Sequence, residues 1–199
     1  LAAGLLVVLV VGWVPRGPRP AREGDPARLA EVWRSEPLAM AATFLLYSLM
    51  FFALFSFLPV LLHQRLQVGA VAVGLLAAVA CAANIVGNLC AAVLLGKVRR
   101  EALGACAAIA MGLCGLGIFL PVLGPGMAFA LCLVFSAVGG VIPGTLFSLA
   151  VQVAPSERTV STTVGWMQQW SAFGQFAGPP LVAWVTGRAG GWHWTWLVT

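Results

Sequence analysis

The chain has 199 residues, of which 61% are hydrophobic and only 9% are charged, whereas about 25% of the residues in an average soluble domain are charged. This composition excludes a soluble globular protein, because too few polar side chains are available to cover its surface, and it predicts a surface that faces lipid. The net charge of +5 does not indicate a nucleic-acid partner, because the basic residues lie in short segments between long apolar runs and do not alternate with aromatic residues.

Long apolar runs predict membrane-spanning helices, since about 20 apolar residues cross a bilayer and only a helix satisfies its own backbone there. Residues 1–14 are predicted to be the end of one span, and residues 15–37 a cytoplasmic linker. A transmembrane bundle follows over residues 38–199, with complete spans at 38–62, 70–96, 102–120, 127–153 and 160–186 and the start of a last span from residue 195. We therefore expect an internal piece of a membrane protein.

The connecting segments predict the orientation of these spans, because Lys and Arg accumulate in cytoplasmic loops. Nine basic residues lie in segments 15–37, 97–101 and 154–159, and two lie in the alternate segments 63–69, 121–126 and 187–194. The first three segments are therefore predicted to be cytoplasmic and the other three external.

The sequence offers no set of residues for catalysis or for holding a metal ion. The five cysteines lie inside apolar runs without metal-type CxxC spacing, and we interpret them as small buried residues. The two histidines are lone residues at predicted membrane edges. We expect no catalytic residue, no metal and no cofactor.

Uncharged polar residues are the candidates for binding, because no Asp, Glu, Lys or Arg lies within the five complete spans. Residues three, four or seven apart share a helix face, so Gln168, Ser171 and Gln175 form one polar stripe, and Asn84 and Asn88 form another. Such stripes must face protein or water; they either line a cavity or hydrogen-bond between packed helices. The predicted substrate-binding residues are Tyr47, Asn84, Asn88, Gln168 and Gln175.

Two glycine-rich segments are predicted to shape the helices. Gly139, Gly140, Pro143 and Gly144 lie within one span, where proline removes a helix hydrogen bond and a kink or break is expected. Such a break is typical of a gating hinge in a carrier, although a simple proline kink explains it equally well. The GxxxG motif at 174–178 favours close approach of a second helix.

Two loops and one helix resemble sequences of the major facilitator superfamily. Segment 96–100 lies where the family repeats a Gly-x-x-x-Asp-Arg-x-Gly-Arg-Arg signature between helices eight and nine, although Leu95 and Val98 replace its Asp and second Gly. Segment 155–158 is similar to the turn between helices ten and eleven, and segment 168–180 resembles helix eleven of members near the cyanate permease group. The loop-motif residues implied by this resemblance are Lys97, Arg99, Arg100, Glu157 and Arg158.

The resemblance implies an all-α integral membrane protein, the carboxyl-terminal six-helix bundle of a twelve-helix fold, truncated at both ends. It implies secondary active or facilitative transport of a small polar or anionic solute across the cytoplasmic (inner) membrane by alternating access. The implied partners are the lipid bilayer, the solute and the missing amino-terminal six-helix half. A membrane-spanning permease subunit of a larger complex is the alternative.

Overall fold

The computed structural model describes residues 33–120, 122–154 and 159–199, and every regular element in these ranges is a helix. Predictions for residues 1–14, for most of the linker 15–37, and for Glu157 and Arg158 lie outside the described residues. The helices are α1 (Ser35–Phe55), α2 (Leu58–Leu66), α3 (Ala70–Leu94), α4 (Arg100–Phe119), α5 (Pro125–Gly139), α6 (Val141–Val153) and α7 (Val160–Ala189), followed by a 3-10 helix (Trp192–Leu197).

Four stretches of the described residues are long and apolar enough to cross a membrane, namely Ser35–Leu66, Ala70–Leu94, Ala102–Phe119 and Pro125–Val153. They correspond to the first four complete spans predicted from the sequence. The fifth, α7, has 30 residues, which is long enough to cross. It falls outside this group because its serine, threonine, glutamine and glycine residues make it less apolar.

The first complete span is divided into α1 and α2 by a turn at residues 56–57, which the apolar pattern did not predict. Pro59 explains the turn, because its ring would clash with the carbonyl group of Phe55 in a continuous helix and it has no N–H to donate. Beyond the turn, the helical stretch continues to Leu66, four residues past the predicted end at residue 62.

The span predicted over residues 127–153 is also divided, and here the predicted break is confirmed: α5 ends at Gly139 and α6 begins at Val141. Pro143 cannot donate to the carbonyl group of Gly139, which accounts for the interruption. Gly140 keeps a helical backbone conformation, with φ −61° and ψ −22°, so α6 follows α5 without an intervening loop. The gating role of this break remains a prediction.

Several helix ends differ from the predicted spans. Helix α4 begins at Arg100 and α7 continues to Ala189, because a helix can extend past the apolar segment into the polar membrane surface. Around residue 195, where the start of a last span is predicted, the described residues form the 3-10 helix Trp192–Leu197, and the last span stays a prediction. Apolar runs indicate where a helix is buried in lipid and not where its hydrogen bonds end.

Close helix packing depends on glycine at two crossings. Helix α1 packs along α7, while α3 packs against α5 and α6. A Cβ atom at Gly174 would meet the carbonyl oxygen of Leu45, and a Cβ atom at Gly87 would meet that of Ala137. The close approach predicted for the 174–178 motif is therefore present, and it joins α7 to α1.

The interior and the surface of the bundle are both apolar. Rings of Phe51 and Phe55 stack 4.2 Å apart in the interior, whereas valine and leucine side chains such as Val71, 80% exposed, lie on the surface. The interpretation of all five cysteines as buried is corrected: Cys114 and Cys132 are buried, but the other three are exposed. A thiol is small and weakly polar, so it needs no protein partner on a lipid-facing surface.

Candidate functional site

One cluster of polar side chains joins α1, α3 and α5. The amide nitrogen Nδ2 of Asn84 donates to the hydroxyl oxygen of Tyr47 and to the backbone carbonyl of Ser136, at 3.1 Å in each case. Asn88 Nδ2 donates to the Oδ1 atom of Asn84 at 3.0 Å. The tyrosine is buried and the two asparagines are half-buried. Three of the predicted binding residues are therefore in one hydrogen-bonded group.

The predicted hinge lies directly against this cluster. A Cβ atom at Gly140 would meet the backbone carbonyl of Asn84, and one at Gly144 would lie 3.2 Å from the carbonyl oxygen of Asn88. A Cβ atom at Gly139 would lie 3.5 Å from the ring of Tyr47. The absence of side chains at the break lets α3 approach closely enough for its asparagines to reach α1 and α5.

A second polar cluster joins α1 to α7. The hydroxyl groups of Ser48 and Ser171 share a hydrogen bond of 2.7 Å, with both side chains buried. Gln175 Nε2 donates to the same Ser171 oxygen at 3.2 Å. Gln168 and Gln175 are exposed beside this contact. The predicted stripe on α7 thus has a buried serine at the helix interface and a glutamine on either side of it along the chain.

The two clusters meet through α1, because Tyr47 bonds toward α3 and its neighbour Ser48 bonds toward α7. The predicted binding set omitted Ser48 and Ser136. Ser48 follows Tyr47 directly, and consecutive helix residues point about 100° apart. A polar residue at position 48 therefore indicates a polar contact with a helix other than the one that Tyr47 faces. Ser136 takes part through its backbone carbonyl, which no side-chain pattern reveals.

The basic loop between α3 and α4 is separate from both clusters. Lys97, Arg99 and Arg100 are exposed, and Arg100 Nη1 donates to Gln152 Oε1 on α6 at 2.8 Å. A neutral amide therefore accepts a guanidinium N–H here. Among the described residues no group of three or more His, Cys, Asp or Glu side chains is placed to hold a metal ion.

The chemistry of the two clusters is that of hydroxyl and amide groups, which donate and accept hydrogen bonds without carrying charge. Comparison with known proteins decides the family: a family model described as Major Facilitator Superfamily matches residues 1–179. The chain belongs to the Major Facilitator Superfamily. No curated protein and no solved structure matches the chain.

Membership in the superfamily confirms the predicted class of protein. The chain is that of a multi-pass membrane protein that carries out secondary transport, and it is not an enzyme. The polar groups of the two clusters lie where a buried amide or hydroxyl group must face protein or water.

Proposed function

We propose that this chain is the carboxyl-terminal half of a superfamily transporter, running from the end of helix six to the start of helix twelve. Support comes from the order of its segments: an apolar end, a charged linker, and a bundle with short loops. We also propose that it is related to the cyanate permease group, because segment 168–180 resembles helix eleven of members near that group. The location that we propose is the cytoplasmic membrane, as the resemblance implies, and the unequal distribution of basic residues supports an orientation with segment 97–101 on the cytoplasmic side.

The solute that we propose is small and polar or anionic, and its ligands are Tyr47, Asn84, Asn88, Gln168 and Gln175. The observation that carries this proposal is the polar path across α1, in which hydroxyl and amide groups connect α3 to α7. Amide groups can bind an anion through N–H donors and a neutral solute through both donors and acceptors.

The transport mechanism that we propose is alternating access, in which the bundle rocks against a second bundle around the bound solute. The break at Gly140 supports this mechanism, because α6 can tilt relative to α5 without breaking a continuous helical ladder. Gly139, Pro143 and Gly144 belong to the same hinge. Its contact with Asn84 and Asn88 would couple a tilt of α6 directly to the polar cluster.

Uptake into proteoliposomes that contain the full-length transporter tests the proposed ligands, with radiolabelled cyanate as the anionic probe and radiolabelled urea as the neutral one. Replacing Gln168 or Gln175 by Leu should raise KM about fivefold for the transported probe, because a lost hydrogen bond costs about 1 kcal/mol. Gln169→Leu is the matched control, because Gln169 is also exposed on α7 but lies outside the predicted stripe. Unchanged kinetics in both variants would remove the glutamines from the site.

Cysteine accessibility tests alternating access without knowledge of the solute. In a full-length transporter whose native cysteines are all replaced by Ala, a single cysteine introduced by Gln168→Cys should react with a membrane-impermeant maleimide from either side of the membrane. Labelling from one side only, under every condition of solute and ion gradient, would contradict the mechanism.

A further inference from the structure

A polar cavity lies at the end of the bundle that carries the basic loop. It has a volume of about 260 Å³ and is lined by Ala92, Leu95, Arg100, Ser148, Leu149 and Gln152. Small-molecule sites usually occupy about 300–1,000 Å³, so this cavity has room for a compact chemical group. It is formed by the end of α3, the first residue of α4 and the last turns of α6, and none of the five predicted binding residues lines it.

The charge around this cavity is positive. Arg100 lines it, and two basic residues, Lys97 and Arg99, and one acidic residue, Glu101, lie within three residues along the chain, so the net charge of this segment is positive. No carboxylate stands among its described lining residues. Because Gln152 Oε1 accepts one N–H of Arg100, the charge on the guanidinium is not neutralised by this partner, and the guanidinium has further N–H groups to donate. The amide nitrogen of Gln152 is a second donor, so the cavity suits an oxyanion.

The surroundings of the cavity are apolar and exposed. Leu89 and Val93 on α3 are 66% and 63% exposed, and Val151 beside Gln152 is 65% exposed. A guanidinium next to exposed aliphatic side chains at the end of a spanning helix matches the two parts of a phospholipid, a phosphate group and its acyl chains. A free phosphate ion would use only the polar part of this surface.

We propose that this cavity binds the headgroup phosphate of an anionic phospholipid from the surrounding membrane. The phosphate oxygens accept hydrogen bonds from Arg100 and from the amide of Gln152, and the acyl chains lie along Leu89, Val93 and Val151. Ser148 Oγ bonds to the carbonyl of Gly144 at 2.9 Å, so its remaining lone pairs can accept a headgroup hydroxyl.

Native mass spectrometry of the purified intact protein tests this proposal, with an equimolar mixture of dioleoyl phosphatidylglycerol and dioleoyl phosphatidylcholine as the probe. The wild-type protein should retain phosphatidylglycerol in preference to phosphatidylcholine. Arg100→Gln should lower this preference about fivefold, the effect of one basic residue near an anionic membrane surface. Arg188→Gln is the matched control, because its guanidinium lies over Trp184 at 5.1 Å, outside the cavity, and it should leave the preference unchanged.

A second variant and a competitor keep the test decisive if Arg100→Gln fails to fold. Gln152→Glu places a carboxylate next to Arg100, so it should also lower the preference for phosphatidylglycerol. Excess inorganic phosphate should displace little of the bound lipid, because it gains no apolar contact. Equal retention of the two lipids by the wild-type protein, an equal loss in Arg188→Gln, or complete displacement by inorganic phosphate would overturn the proposal.

Discussion

Replacement of Gly174 by Ala should destabilise the bundle by separating α1 from α7. The added Cβ atom would meet the carbonyl oxygen of Leu45 and lie 2.9 Å from the backbone nitrogen of Leu49, whereas ordinary contacts are 3.4–4 Å. Both neighbours are backbone atoms, so no side chain can rotate away, and α1 must move by about half an ångström or more. Overpacking of this kind lowers the free energy of unfolding by about 1–3 kcal/mol.

The matched control for this prediction is Gly165→Ala on the same helix, where an added Cβ atom has nothing within 4 Å. The free energy of unfolding of that variant should rise by up to about 1 kcal/mol, because alanine is a better helix former than glycine. Thermal unfolding in detergent, followed by tryptophan fluorescence, compares the two variants with the wild-type protein. A Gly174→Ala protein that is as stable as Gly165→Ala would refute the close approach of α1 and α7.

Three further experiments test the polar clusters and the helix break. A double-mutant cycle combines Tyr47→Phe with Asn84→Leu and measures the free energy of unfolding of each variant. The two substitutions should be coupled by about 0.5–1.5 kcal/mol, the net value of one hydrogen bond. Additive effects would contradict the bond between these side chains. Ser171→Ala should lower the free energy of unfolding by about 1–3 kcal/mol, because it leaves the buried Ser48 hydroxyl without its partner. The double variant with Ser48→Ala should recover part of that loss. Pro143→Ala should raise the unfolding temperature, because it restores a backbone donor in a helix. It should also slow probe uptake if the break acts as a hinge. Faster uptake would contradict that role.

The positions of the helices follow from the sequence to the extent that lipid determines them. Apolar runs of about 20 residues must become helices in a bilayer, so the spans at 70–96 and 102–120 correspond to single helices. The division at residues 56–57 was missed, because the apolar pattern continues through Pro59 and hydropathy is insensitive to the loss of one backbone donor. The break near Pro143 was predicted, because glycines accompany that proline.

The candidate site could be predicted only one helix at a time. Spacing placed Asn84 and Asn88 on one face of α3, and their hydrogen bond confirms that they are neighbours. The same reasoning could not pair Asn84 with Tyr47, which is 37 residues away, because helix periodicity carries no information about which helices meet. Nor could it anticipate Ser136, whose contribution is a backbone carbonyl and is therefore independent of residue type.

The arrangement of the two clusters has a mechanical consequence for α1. Tyr47 connects it to α3, and Ser48 connects it to α7, so a relative movement of α3 and α7 must break one of these contacts, and α1 then moves with the other partner. The α1–α7 contact includes a buried hydroxyl pair and two glycines, Gly174 and Gly178, and a Cβ atom added at Gly178 would lie 2.8 Å from the carbonyl oxygen of Leu49. The contact through Asn84 is a single side-chain bond of 3.1 Å to a half-buried amide, which water or a solute hydroxyl can replace at little cost. A solute that enters beside Asn84 would therefore separate α3 from α1 before it separated α7 from α1.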